Sequence, residues 1–445
     1  MKRILILGAG MSATSMISYL LDHSEEFGWK VIVGDVDAAI AQQKIRNNKN
    51  GEAIQFDVFN EHQRLLEIEK SDVVISMLPA RFHPLVANDC VRSSTHMVTA
   101  SYVSNEMQAL HEEAGRKGIA LMNELGVDPG IDHMSAMKVI DEIRSKGGKL
   151  QLFKSSTGGL VAPEYDNNPW NYKFTWNPRN VVLAGQGVAK FIRNGRYKYI
   201  PYHQLFKRLM YTKIEGVGSF EIYPNRDSLS YRDVYGLNDI PTMFRGTMRR
   251  PGFCEAWDVF VQLGATDDSY VIDDSENMTL REFINSFLRF DQELSVEEKI
   301  CSYFDIEPDG NIMRKLKWLG IFENTKIGLR KATPAQILQN LLEKKWALGP
   351  GDKDMIVMQH EFEYELNGVK KGVRSSMVVI GKDKENTAMS ITVGIPVAIA
   401  TKFLLTGVIS AKGVIRPISP EIYSPILKEL ESYNISFTDE EYKID

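Results

Sequence analysis

Ile4-Leu5-Ile6-Leu7-Gly8-Ala9-Gly10-Met11-Ser12-Ala13, followed at Lys30 to Gly34 by a second apolar run ending on Asp35, is the stretch that decides the fold. Four consecutive apolar residues suit a strand buried on both faces, and a mixed helical pattern runs from Thr14 to His23. Between strand and helix lies a G-x-G-x-x-A fingerprint in the setting it requires: strand, tight turn, helix, strand, acid. Gly8 permits the turn. Gly10 carries no side chain to hold a pyrophosphate off the backbone, and Ala13 lets the helix lie close on the strand. The helix start offers free N–H groups and the positive dipole end to phosphates. Asp35 stands roughly 20 residues beyond the fingerprint, where a carboxylate accepts from the adenosine ribose hydroxyls and repels a 2′-phosphate. This favours NAD(H), with NADP(H) as second choice.

Working outward, the rhythm continues. Helices are predicted over 38–46, 60–68, 84–93 and 105–117, and strands over 53–56, 73–76, 96–99 and 119–122. The expected fold class is α/β: an N-terminal doubly wound parallel sheet. Ligands of such sheets bind outside the carboxyl ends of the strands. That places Ser101-Tyr102 and the loop Glu124 to Asp128 near a ligand, with Asp57 within reach of an adenine. Past residue 140 the pattern changes to strands dense in aromatics (Trp170, Tyr172, Phe174, Trp176). Helices follow near 245–350, such as 280–294 and 335–344, and then strands at 355–358 and 377–380. Helices are expected again over 396–405, starting at Pro396, and over 420–433.

At 445 residues the chain exceeds one ordinary core. We expect a dinucleotide domain of residues 1–125 and about 406–445, an α+β domain of 126–244 and about 351–405, and a helical domain of about 245–350. Composition is ordinary for a globular protein, 43% hydrophobic and 25% charged. The net charge of −5 and the lack of any Lys/Arg run argue against nucleic acid as a partner. Cys90, Cys254 and Cys301 are scattered, which argues for reduced thiols, a cytoplasmic location and no zinc cluster. The N-terminal apolar run breaks at Gly8, and Lys402 and Lys412 interrupt the apolar segment from 393 to 415, so neither a signal peptide nor a membrane span is expected.

With these residues in hand, the sequence resembles the saccharopine reductases, the glutamate-forming saccharopine dehydrogenases of α-aminoadipate lysine metabolism. The resemblance runs almost end to end. It rests on the fingerprint, on Ala100-Ser101-Tyr102-Val103-Ser104, and on Asn123-Glu124-Leu125-Gly126-Val127-Asp128-Pro129-Gly130-Ile131-Asp132-His133. Further matches are residues 157–164, 172–179, Tyr223-Pro224-Asn225-Arg226-Asp227-Ser228, Phe244-Arg245-Gly246-Thr247, Gln359-His360-Glu361-Phe362 and Thr392-Val393-Gly394-Ile395-Pro396. It implies a Rossmann domain, an α+β domain carrying the substrate and a homodimer contact, a helical domain, and reversible hydride transfer at a C–N bond. It also implies a cofactor set of Gly8, Gly10, Met11, Ser12, Ala13, Asp35, Asp57, Val58, Leu78, Ala100, Ser101, Val127 and Trp176. Better-known members have a cysteine where this chain has Thr157, and a basic residue suited to NADP where it has Asp35.

The implied substrate is a small molecule with three carboxylates and two amino nitrogens. Its site needs guanidinium groups for carboxylates and a carboxylate for an ammonium. Arg226 and Arg245 are the expected clamps, with Thr247, Gly158 and Ser101 as further substrate contacts. Asp128, Tyr102 and Thr157 are the expected catalytic groups, Asp128 keeping the imine protonated and no metal being required. A surface arginine, a turn-capping aspartate and a core tyrosine are the ordinary roles of these residue types. His133, tempting as a general acid, begins a helix and reads better as a structural histidine. Two rivals stand beside this reading: a carboxynorspermidine or carboxyspermidine type of dehydrogenase, and a non-catalytic NAD-binding regulator.

Overall fold

The computed structural model describes residues 1–444. They form two compact units, one of Met1–Lys149, Tyr364–Lys370 and Met377–Glu440, the other of Leu150–Glu363, Lys371–Ser376 and residues from 441 onward.

The first unit is built on seven strands. These are β1 (Lys2–Leu7), β2 (Trp29–Asp35), β3 (Gly51–Gln55), β4 (Val73–Ser76), β5 (His96–Val98), β6 (Ala120–Met122) and β15 (Gly413–Ile415). The order is β15-β6-β5-β4-β1-β2-β3, and every pair is parallel. Ile4 to Leu7 have no exposed surface, as expected of a central parallel strand covered on both faces. Because β1 lies between β2 and β4, the winding reverses there, and a crevice opens at the carboxyl ends of β1 and β4. The helix Thr14–Asp22 follows the glycine loop.

Three predicted helices differ from what forms. The helix expected to start at Pro396 runs from Ala388 to Leu405 with Pro396 inside it. Thr387 caps it by accepting from Ser390 N, and burial on nearly every side compensates for the amide that proline lacks. Gly394 lets this helix approach the fingerprint helix, since a Cβ there would lie 3.0 Å from Met16 N. The helix expected over 280–294 stops at Asn285, and farther on Asp291 accepts from the amides of Glu293 and Leu294 in a turn. The span 105–117 divides into Asn105–Gln108 and His111–Arg116.

The other sheet is mixed and comprises β7 (Lys149–Val161), β8 (Ala189–Arg193), β9 (Arg196–Ile200), β10 (Met210–Ile214), β11 (Gly218–Pro224), β12 (Thr242–Arg249), β13 (Asp354–Leu366), β14 (Val369–Ile380) and β16 (Thr438–Lys443). The order is β10-β11-β12-β7-β13-β14-β16, with β8 pairing β12 and β9. Helices Phe253–Leu263, Asn311–Leu319 and Pro334–Lys345 supply an aromatic core. Trp170 lies at its centre, 5.3 Å from Trp346 and 5.6 Å from Phe253, with its indole N–H donating to Lys315 O at 2.9 Å. Part of the aromatic density read in the sequence is therefore core packing.

Candidate active site

Each unit brings a group of the predicted residues together. In the first, Gly8 adopts φ +98°, outside the range of other residues, and a Cβ there would lie 3.1 Å from Met77 O. Around Gly10 a Cβ would meet nothing within 4 Å, and no side chain caps the turn Met11–Ala13 that leads into the helix. Open space over an uncapped helix start is what a dinucleotide pyrophosphate needs, so these residues fit such a cofactor. Leu78 and Ala100 follow the ends of β4 and β5, and Val127 follows β6. Asp57 is exposed and accepts from Phe59 N, closing a turn. Val58 is buried, and its carbonyl accepts from Arg64, which in turn pairs with Asp89 in the interior.

Asp35 does not face outward as an unpaired acceptor. Its Oδ2 accepts from Ala9 N at 2.7 Å and its Oδ1 from Asp37 N at 3.1 Å. The carboxylate therefore braces the glycine loop.

The loop after β6 carries the remaining groups of this unit. Glu124, left-handed at φ +59° and only 2% exposed, has three partners. Its Oε1 accepts from Val103 N at 2.9 Å and Arg416 Nε at 3.0 Å, while its Oε2 lies 2.8 Å from His133 Nε2. Burial pushes its pKa up, but these partners, His133 foremost, bring it below the ordinary carboxylate value. The result ties the Ser101–Val103 loop to the Asp128 loop. Gly126 N donates to Pro129 O at 2.8 Å, and Gly130 sits at φ +147°, where a Cβ would fall 2.1 Å from Gly126 O. Only glycine fits. Tyr102 donates its hydroxyl to Asp128 Oδ1 at 3.2 Å, so two of the expected catalytic groups are in contact, and Tyr102 is 44% exposed. His133 is fully buried.

In the second unit, strand pairing assembles the rest. Thr247 stands opposite Thr157 on β7 and Tyr223 on β11, and Arg245 opposite Ser155. Arg226 follows Asn225, whose amide donates to Arg245 O at 2.9 Å. Arg226 is exposed and held at φ +33°, an uncommon conformation for a residue with a Cβ and one that concentrates at functional sites. Arg245 is buried at 6% exposure, its guanidinium 4.2 Å from the Tyr231 ring. Thr157 Oγ1 is buried and has no hydrogen-bond partner among the described residues. Gly158 lies where a Cβ would be 2.8 Å from Met248 O, so tight strand packing accounts for this glycine. Trp176 is half-buried.

Sequence reasoning missed Arg249. It is 3% exposed and continues the alternation Arg245, Thr247, Arg249 along one face of β12. Tyr172, Phe253 and Tyr223 surround its guanidinium at 4.9, 5.4 and 5.8 Å. Its Nη1 donates to Met248 O at 2.8 Å, and its Nε has no hydrogen-bond partner among the described residues. The nearby Glu221 carboxylate accepts from Gly252 N and Cys254 N. The signal was period-2 spacing of arginines, readable once β12 was recognised as a strand.

Comparison with known proteins fixes the family. The model described as "Saccharopine dehydrogenase NADP binding domain" matches residues 4–122, and "Saccharopine dehydrogenase C-terminal domain" matches residues 126–435. The chain belongs to the saccharopine dehydrogenase family. Among its relatives, saccharopine dehydrogenase [NADP(+), L-glutamate-forming] of Saccharomyces cerevisiae is 35% identical over 97% of both chains, and that of Pyricularia oryzae 34% identical over 98% of both. The structure of the saccharopine dehydrogenase (L-Glu forming) from Saccharomyces cerevisiae superposes with a TM-score of 0.90 at 34% identity, covering 99% of this chain and all of that one. The cofactor expectation is corrected: the matching family domain is an NADP-binding one, and these two relatives are named for NADP(+), against NAD(H). Asp35, expected to repel a 2′-phosphate, instead accepts from Ala9 N and Asp37 N and braces the glycine loop.

Proposed function

We propose that this saccharopine dehydrogenase family member is an oxidoreductase that interconverts saccharopine with L-glutamate and α-aminoadipate semialdehyde, with NADP(H) as hydride carrier. The observation that carries the reading is the end-to-end match to glutamate-forming relatives, joined to a β12 face that presents Arg245 and Arg249 beside Thr247. The bound nicotinamide supplies the hydride acceptor in the oxidative direction.

The chain's own residues do the rest. Arg226, Arg245 and Arg249 bind substrate carboxylates, where charge-assisted hydrogen bonds exceed neutral ones roughly twofold. Thr247 and Ser101 add neutral hydrogen bonds, and the unpartnered Thr157 hydroxyl is available to the reacting nitrogen or a water. The Asp128 carboxylate, oriented by Tyr102, stabilises positive charge on the reacting nitrogen, which keeps the imine protonated and electrophilic. In the oxidative direction the secondary amine must first lose a proton, which Asp128 with Tyr102 takes.

The same reading includes a homodimer, a cytoplasmic location and the three-part division of the chain at about residues 125, 245, 350 and 405. Light scattering, cell fractionation and limited proteolysis test these three. The activity test is NADP+ reduction with saccharopine, run beside carboxynorspermidine. Formation of glutamate and the semialdehyde supports the proposal. Turnover of the polyamine alone, or tight cofactor binding with no turnover, refutes it.

A further inference from the structure

His83 is 4% exposed and lies on neither of the chain's predicted ligand loops, yet it touches one of them. Its Nδ1 is 2.9 Å from Ser76 Oγ at the end of β4, and its Nε2 is 2.7 Å from Ser101 Oγ beyond the end of β5. Burial pushes the imidazole down to about 4, so near neutral pH the ring is uncharged. A neutral imidazole has one N–H donor and one acceptor. The surroundings choose between them. Ser76 has no exposed surface, and among the described residues its hydroxyl has no hydrogen-bond partner other than His83 Nδ1. Were Nδ1 protonated, the Ser76 hydroxyl proton would be buried without an acceptor, which disfavours that tautomer. With Nδ1 accepting, that proton is satisfied and Nε2 carries the ring hydrogen. The Thr99 hydroxyl, 3.4 Å from Nε2, is a weak third party in either tautomer.

We infer that Ser76 and His83 form a hydrogen-bond relay of fixed polarity that makes Ser101 accept from the ring and so reserves the Ser101 hydroxyl proton for a carboxylate oxygen of the substrate. His83 and Ser76 are positioning residues. Neither needs to touch the substrate, and Ser76 is too buried to do so. With the opposite tautomer, Ser101 would spend its proton on the ring and turn lone pairs toward an anion, which repels it. The identity of the bound carboxylate rests on the activity proposed above; the direction of the relay does not.

The test has two arms. The first is nitrogen-15 NMR of the full-length protein near neutral pH, correlating ring carbons' hydrogens with both ring nitrogens. His83 is identified among the eight histidines by its loss in His83→Gln. A neutral ring with hydrogen on Nε2 is expected; hydrogen on Nδ1, or an imidazolium, overturns the relay. The second arm is kinetic. Ser76→Ala should raise the saccharopine KM roughly 3- to 10-fold, the worth of one neutral hydrogen bond, with kcat and the NADP+ KM near wild type. Ser76→Thr should restore it, and Ser76→Ala should add nothing in a Ser101→Ala background. Additive effects, or a rise confined to the cofactor KM, overturn the assignment. If wild type fails to oxidise saccharopine, the proposed activity falls, while the NMR arm still decides the relay.

Discussion

Glu124→Gln tests how the active-site loops are held. The substitution keeps size and one acceptor oxygen but removes a charge that is 2% exposed and engaged by Val103 N, Arg416 Nε and His133 Nε2. Breaking a buried pair from one side costs about 3–5 kcal/mol. Arg416 retains 27% of its side-chain exposure, so solvent shares its charge and the lower end, about 3 kcal/mol, applies. At a few degrees per kcal/mol for a unit of this size, Tm should fall by about 5–10 °C. The pH dependence follows from the sign of the shift. Glu124 titrates below its ordinary 4.5 in the folded protein, so its contribution is fully present above pH 4.5 and is lost as pH falls through the lowered value. The Tm gap between variant and wild type should therefore be constant from pH 6 to 8 and shrink below pH 4.5. Differential scanning fluorimetry across pH measures it, with saccharopine KM as a second readout, because Val103 N anchors the loop that carries Ser101 and Tyr102. A gap under about 1 °C at pH 7, or one that widens in acid, would refute the account.

Arg249→Met should raise the saccharopine KM by about 10- to 100-fold while Tm stays within a few degrees, since the thioether still fills the aromatic box; an unchanged KM removes Arg249 from substrate binding. Asp35→Ala should lower kcat/KM for NADPH and NADH by similar factors, about tenfold, because the lost carboxylate braces Ala9 N; a selective gain with NADPH would show that it acts by charge repulsion instead. Wild type should give a higher kcat/KM with NADPH than with NADH in steady-state assays. Gly130→Ala should destabilise by more than about 3 kcal/mol, read as loss of soluble protein or a large fall in Tm, since a Cβ would lie 2.1 Å from Gly126 O.

The first unit was legible because its signals are local. The Ile4–Leu7 run, the glycines at 8 and 10 and strands such as Val73–Ser76 carry their reasons within a few residues, and the parallel order follows from the βα rhythm. The pairing of Tyr102 with Asp128 was half-legible: both loops were placed at strand ends, but the hydroxyl contact needed coordinates. Other features depend on residues far apart in the chain. Pro396 looked like a helix start because proline favours that position, and only burial of the helix Ala388–Leu405 shows why it is tolerated inside one.

By itself, the sequence determined that the chain opens with a dinucleotide cradle, that its strands end in polar loops, and which family pattern it follows, because turn geometry and hydrophobic period are properties of short segments. Tertiary structure alone decided the partners of the charges. Asp35 braces Ala9, Glu124 joins Val103 to Arg416, and Arg249 lies among Tyr172, Tyr223 and Phe253. A side chain's electrostatic role depends on what the fold places within a few ångströms of it, and spacing along the chain carries no record of that distance.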